Sequence, residues 1–157
     1  KRLSDIGLPM SYHEHMGTII QSEQDIYRLL DNTNDKTSLL FDTGHIFFAK
    51  GDYESILKKY ISRVNHVHCK DIRKEILNKS LSNDLSFRDS FLEGVFTVPG
   101  DGCINYKPLF ETLYDSKYSK WLIVEAEQDP KKANPLKYAK IGYKYLNKIL
   151  TEVGYKI

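Results

Sequence analysis

An α/β chain, built from four repeats of a β-strand and an α-helix with the strands parallel, is what this sequence predicts. Three observations lead there. Apolar, β-prone runs alternate four times with segments of helical period, and such alternation implies a parallel sheet with right-handed crossovers. Each run turns polar only at its C-terminal end, in Tyr12-His13-Glu14-His15, in Asp42-Thr43-Gly44-His45, in His66-Val67-His68-Cys69-Lys70-Asp71 and in Glu125-Ala126-Glu127-Gln128-Asp129. Parallel α/β sheets present their chemistry at that end. The 157 residues, 41% of them hydrophobic, are enough for one domain with a core. Four strands cannot close a barrel that needs eight. The chain is therefore expected to be either a small open sheet or half of a larger barrel.

The elements follow in order. Lys1–Gly7 reads as the tail of a preceding loop or helix, and Leu8–His13 as the first strand. Met16-Gly17-Thr18 is a turn. Ser22 caps a helix whose first turn carries Glu23 and Asp25, where the dipole favours anions, and whose apolar face is Ile26, Leu29 and Leu30. Thr37–Asp42 is the second strand, and Gly44–Lys50 is read as a loop. Asp52 caps a helix with Ile56, Leu57, Tyr60 and Ile61 on one face. Arg63–His68 is the third strand. If it alternates strictly, Val64, His66 and His68 share one side, and Asn65, Val67 and Cys69 the other. A long polar excursion follows, helical at Arg73–Lys79 and again at Ser86–Leu92, with a turn at Pro99-Gly100-Asp101-Gly102. Excursions of that length are more often functional than mere linkers. Tyr106–Tyr114 is a helix with Pro108 in its first turn. Trp121–Glu125 is the fourth strand, and Leu136–Val153 closes the chain as a helix.

Composition excludes several classes. The net charge is +2 with basic and acidic residues interspersed, so no basic block marks a nucleic-acid footprint. The 11 tyrosines are scattered through helix-like segments, where packing accounts for them. Cys69 and Cys103 form neither a disulfide framework nor a CxxC zinc pattern. No run approaches the ~20 apolar residues of a membrane span, and no apolar segment with a basic start marks a signal peptide. A reduced cytoplasmic setting is expected. The chain opens at Lys1 without an initiator methionine, which is expected of a fragment.

The strand ends form a candidate constellation. Asp42 after Leu39-Leu40-Phe41 is costly if buried alone; it is either a helix cap or loop hydrogen-bond acceptor, or a hard oxygen ligand to a divalent metal. His68, nearer the strand end, is preferred over His66 as a ligand, and Glu125, immediately after Val124, over Glu127. His13 and His15 face the same way, with Glu14 turned aside. The expected metal ligands are one imidazole of the His13/His15 pair with Asp42, His68 and Glu125, two imidazoles and two carboxylates with positions left open. That mixed set suits Mn, Co, Zn or Fe(II) better than Ca or a thiophilic ion. Cys69 points away by parity and is read as packing.

At these residues, and in Glu93-Gly94-Val95-Phe96-Thr97-Val98-Pro99-Gly100-Asp101-Gly102, the chain resembles the xylose-isomerase-like TIM barrels and, within them, the inosose dehydratase family. The likeness covers nearly the whole chain but only the C-terminal half of that barrel, strands five to eight. It implies a partial (β/α)8 TIM barrel in which residues 1–157 are the C-terminal half of one domain. Where the superfamily usually holds its metal with Glu, Asp, His and Glu, this chain has His13, Asp42, His68 and Glu125. His13 replaces the usual Glu, and Glu14 competes with His13 and His15 for that place.

The resemblance further implies metal-dependent dehydration of 2-keto-myo-inositol to a trihydroxycyclohexane-dione in myo-inositol catabolism, with a divalent ion (Mn or Co), and it associates the family with a thiol cofactor, glutathione. Glu125 is expected to remove the proton α to the ketone, and His45 or His15 to protonate the leaving hydroxyl. Lys70, Arg73 and Asp101 are expected to hold substrate oxygens, with the loop around Asp101 closing over them. Two other readings stand beside this one. A sugar or inosose isomerase or epimerase needs a second base opposite Glu125, for which Glu14 is the visible candidate. A truncated half-barrel would be inactive, or would pair through its exposed edges with its missing N-terminal half or with another copy.

Overall fold

The computed structural model describes residues 2–157. After a short helix α1 (Arg2–Asp5), strand β1 (Met10–His13) leads into helix α2 (Glu23–Asp31). Ser22 caps α2, with a reciprocal bond from its own amide to Asp25, a capping box that satisfies two otherwise orphaned donors. Strand β2 (Thr37–Asp42) runs directly into α3 (Thr43–Phe48), then α4 (Tyr53–Tyr60) and a 3-10 turn at Ile61–Arg63. Strand β3 (Val64–Cys69) opens the excursion, which folds as β4 (Asp71–Ile72), α5 (Lys74–Ser82), α6 (Phe87–Glu93) and β5 (Phe96–Thr97). Helix α7 (Tyr106–Asp115), strand β6 (Trp121–Val124) and helix α8 (Pro135–Val153) complete the chain.

The four long strands form one parallel sheet in the order β1-β2-β3-β6. Its helix-facing side is apolar: Leu39 and Phe41 of β2 and Val67 and Cys69 of β3 pack with Ile26, Leu57, Leu109, Phe110 and Leu146 from the helices. The opposite side carries His13, Leu40, Asp42, His66 and His68, none but Asp42 fully buried. On β6, Trp121 pairs in register with His66 and is 72% exposed. This second face lacks a covering layer among the described residues, and β1 and β6 are the sheet's edges. No helix among the described residues is long and apolar enough to cross a membrane.

Two sequence expectations need correction, and one small element was not anticipated. Gly44–Lys50 is not a loop, because Asp42 caps α3 from within the preceding strand: its Oδ1 accepts the amide of His45. Val64 does not share a side with His66 and His68. Leu39 and Leu40 of β2 pair with Val64 and His66, so Asn65 is an extra residue, a bulge that reverses parity between Val64 and the histidines. Val64 joins Val67 and Cys69 in the core. The excursion also holds a small antiparallel pair, β4 with β5, that two-residue strands left unreadable. Asp71 organises it, accepting amides from Ile72, Ile104 and Gly100.

Candidate metal centre

The C-terminal ends of β1, β2, β3 and β6 converge. Asp42 Oδ2 lies 3.4 Å from His13 Nε2 and 3.4 Å from His68 Nδ1, and His68 Nδ1 is 3.7 Å from Glu125 Oε2. His13, Asp42 and His68 each offer one donor atom within 4.8 Å of the others. His13 Nε2, Asp42 Oδ2, His68 Nδ1 and Glu125 Oε2 are all buried, and none makes a well-directed hydrogen bond among the described residues. Glu125 Oε2 does have an ion-pair partner, Lys70 Nζ at 2.8 Å. Buried polar atoms are ordinarily satisfied. Three such atoms, from His13, Asp42 and His68, gather within 4.8 Å of one another; this N/O set fits a divalent cation, and Glu125 Oε2 stands beside it, 3.7 Å from His68 and paired with Lys70.

Asp42 combines the two roles weighed for it in the sequence. Oδ1 caps α3, and Oδ2 faces the imidazoles. Burial opposes its ionisation, but the Lys70 ammonium and the contacts from His13 and His68 outweigh that and hold the carboxyl well below its usual range. Glu14 is turned aside. It is fully buried beneath Asp42, with Oε1 accepting the Asp42 amide at 2.8 Å. Burial and the Asp42 charge push its carboxyl well above the usual range. Among Glu14, His13 and His15, only His13 points at Asp42 and His68.

A second group lies beside the first. His15 Nε2 is 3.4 Å from Glu127 Oε1, and His45 Nε2 is 3.2 Å from Glu127 Oε2. The His15 and His45 rings sit 3.8 Å apart. Burial opposes ionisation of Glu127, yet the His45 contact and the Lys70 charge hold its carboxyl at about 2. Lys70, fully buried, joins the groups. Its Nζ lies 2.8 Å from both Glu125 and Glu127 and 3.3 Å from Asp42. Its backbone is fixed by Thr43 Oγ1, which donates to the Lys70 carbonyl and accepts the Lys70 amide. Burial raises the Glu125 carboxyl, Lys70 opposes that, and the net shift is upward.

Of the residues expected to hold substrate, Lys70 is at the site, but Arg73 and Asp101 hold each other at 2.7 Å. Arg73 also donates to the carbonyls of Gly94 and Phe96 and to Thr97 Oγ1. Its fork is a clasp on the excursion, occupied without substrate. Two wall residues went unassigned in the sequence. Glu127 was weighed only as a rival to Glu125, although parity put both on one side. Phe87, at the start of α6, has its ring centroid 5.7 Å from that of His15 and 6.0 Å from that of His45; nothing local in the sequence marks it.

Comparison with known proteins agrees with this arrangement of strands. The chain is 45% identical over 153 residues to an inosose dehydratase of Bacillus velezensis, covering 97% of this chain and 51% of that one. It is 48% identical over 147 residues to an inosose dehydratase of Lactiplantibacillus plantarum, covering 93% and 49%. The chain thus spans about half the length of the curated relatives it matches. Among solved structures, the IOLI protein with a bound zinc atom superposes with a TM-score of 0.68 at 17% identity, over 99% of this chain and 55% of that one. Residues 2–149 match the family described as xylose isomerase-like TIM barrel, and the chain belongs to that family.

Proposed function

We propose that the protein carrying this chain is a hydro-lyase acting on a cyclic polyol ketone, 2-keto-myo-inositol, with a divalent ion, Mn or Co, at His13, Asp42, His68 and Glu125. The convergence of the buried donor atoms of His13, Asp42 and His68 at the strand ends, with Glu125 Oε2 3.7 Å from His68, carries the reading. The relatives named inosose dehydratase supply the substrate class, which the fold alone does not. The preceding half of the barrel, on this reading, covers the open face of the sheet, so residues 1–157 supply one half of a single domain.

A divalent ion held by His13, Asp42, His68 and Glu125 would supply Lewis-acid polarisation of the ketone. Glu125 takes the α-proton, its carboxyl being raised by burial toward the working range of a general base. The β C–O bond then breaks, and the hydroxyl leaves as water with a proton from the His45 or His15 side of the site. The resulting enol reverts to the dione, so substrate minus water equals product. Lys70 Nζ lies between Glu125 and Glu127, where a substrate oxygen near the site of proton removal would take over one of its three N–H bonds.

The epimerase reading is weaker on a specific observation. Its second base cannot be Glu14, whose oxygen is turned to the Asp42 amide. Glu127 reaches the site instead, but a carboxyl held at about 2 accepts a proton poorly. Incubating the full-length protein with inosose and following the absorbance of a conjugated dione tests the proposal. Dione formation that disappears in Glu125→Gln, with bound metal retained in part, is the expected result. An isomeric ketone without dione rejects dehydration, and an unchanged rate in Glu125→Gln rejects that residue as the base.

A further inference from the structure

One cation beside the donor cluster is supplied by the chain itself. Lys70 Nζ is surrounded by Glu125 Oε2, Glu127 Oε2 and His45 Nε2, each at 2.8 Å, and by Asp42 Oδ2 at 3.3 Å. Three carboxylate oxygens and an imidazole nitrogen around one point are the donor types that mixed N/O ions take. The stem of Lys70 reaches this point along Gly44, where a Cβ would fall 2.6 Å from Lys70 Cγ. Burying an ammonium costs several kcal/mol unless it is well matched, so these donors are what keep it there.

The far side of that point is also built. His15, His45 and Glu127 offer donor atoms within 4.8 Å of one another. His15 Nδ1 lies 2.8 Å from the carbonyl of Met16. That contact places a proton on Nδ1 and leaves Nε2 facing Glu127 Oε1, the same orientation by backbone carbonyl that ligating histidines use. Three carboxylates face the two groups, Asp42, Glu125 and Glu127; Glu14 faces the Asp42 amide instead. One divalent ion and one ammonium match those three charges.

We propose that Lys70 is a built-in second cation, seated where a second divalent ion would bind His15, His45 and Glu127. This rests on the metal reading of the His13, Asp42, His68 and Glu125 centre. It follows that the wild-type chain takes one divalent ion, and that a neutral side chain at position 70 opens a latent second site. The ammonium is the fixed electrophile beside the exchangeable one.

Cobalt stoichiometry tests this. The full-length protein and the variants Lys70→Met, Lys70→Gln, His15→Ala and Lys70→Met/His15→Ala are loaded with cobalt, desalted, and measured by elemental analysis and visible absorption. One ion per chain is expected in the wild type and in His15→Ala. Two are expected in the Lys70 single variants, with an added absorption band, and one again in the double variant. Two ions in the wild type overturn the proposal whether or not the Lys70 variants fold. One ion in folded Lys70 variants, or loss of the ion in His15→Ala, also overturns it. A wild-type protein that holds no cobalt fails the metal reading itself, a result distinct from all of these.

Discussion

Asp42 and His45 are joined through the first turn of α3: the His45 amide donates to Asp42 Oδ1 at 2.9 Å, which leaves Oδ2 free to face His13 and His68. One carboxylate thus fixes the start of a helix and completes a donor cluster. Asp42→Asn keeps the capping oxygen and removes the charge. It is expected to weaken divalent-ion binding by more than about 10-fold, the lower end of what even outer-shell changes cost at such sites. Asp42→Ala should lose the ion equally and shed a further ~1 kcal/mol of stability with the cap. Calorimetric titration with cobalt and urea denaturation separate the two effects.

Glu127 predicts a pH dependence whose sign is fixed. Its carboxyl is lowered in the folded state from 4.5 to about 2. A lowered carboxyl stabilises above its unfolded value, and that contribution fades as pH falls through the folded one. Glu127→Gln should therefore flatten the fall in stability between pH 4.5 and about 2 relative to wild type. Urea midpoints across that window give the readout. Glu14, raised by burial and the Asp42 charge above its ordinary 4.5, acts in the opposite sense and in another window: its protonation adds stability as pH falls toward 4.5 and nothing further below it, so Glu14→Gln should remove that gain and leave the more acidic window unchanged.

Gly44→Ala should be costly although the position needs no unusual backbone. The new Cβ would lie 2.6 Å from Lys70 Cγ and 3.0 Å from Lys70 Cβ. Both belong to the root of a fully buried side chain, which has little room to move. Overpacking of this kind costs about 1–3 kcal/mol. Thermal unfolding measures it, and a melting temperature equal to wild type would show that the stem can shift.

Arg73→Met should loosen the excursion rather than the sheet. It strips donors from the carbonyls of Gly94 and Phe96 and from Asp101, at a cost of about 1–3 kcal/mol for groups left unsatisfied. Hydrogen exchange should accelerate in Gly94–Asp101 while β2 and β3 stay protected. Uniform acceleration across the sheet would contradict a local clasp.

What the sequence showed and what it hid follow from the range of each interaction. The four strands, their parallel order and the convergence of His13, Asp42 and His68 were legible because period and polarity switch together at each strand end. The helix at Thr43–Phe48 was hidden because its cap, Asp42, is also the last residue of a strand. The Asn65 bulge was hidden because no residue type announces it; it exists only relative to β2. The clasp between Arg73 and Asp101 spans 28 positions. Either residue alone looks like a free charge available to a ligand.

The extra residue at Asn65 divides β3 into two independent levers. In a strictly alternating strand, whatever the core requires of Val64 would dictate which way His66 and His68 turn. The bulge lets the root of the strand satisfy the hydrophobic layer while its tip keeps both imidazoles on the open side of the sheet, with Asp42. Deleting Asn65 would force a choice between a sound interior and an intact donor cluster, and one would be lost.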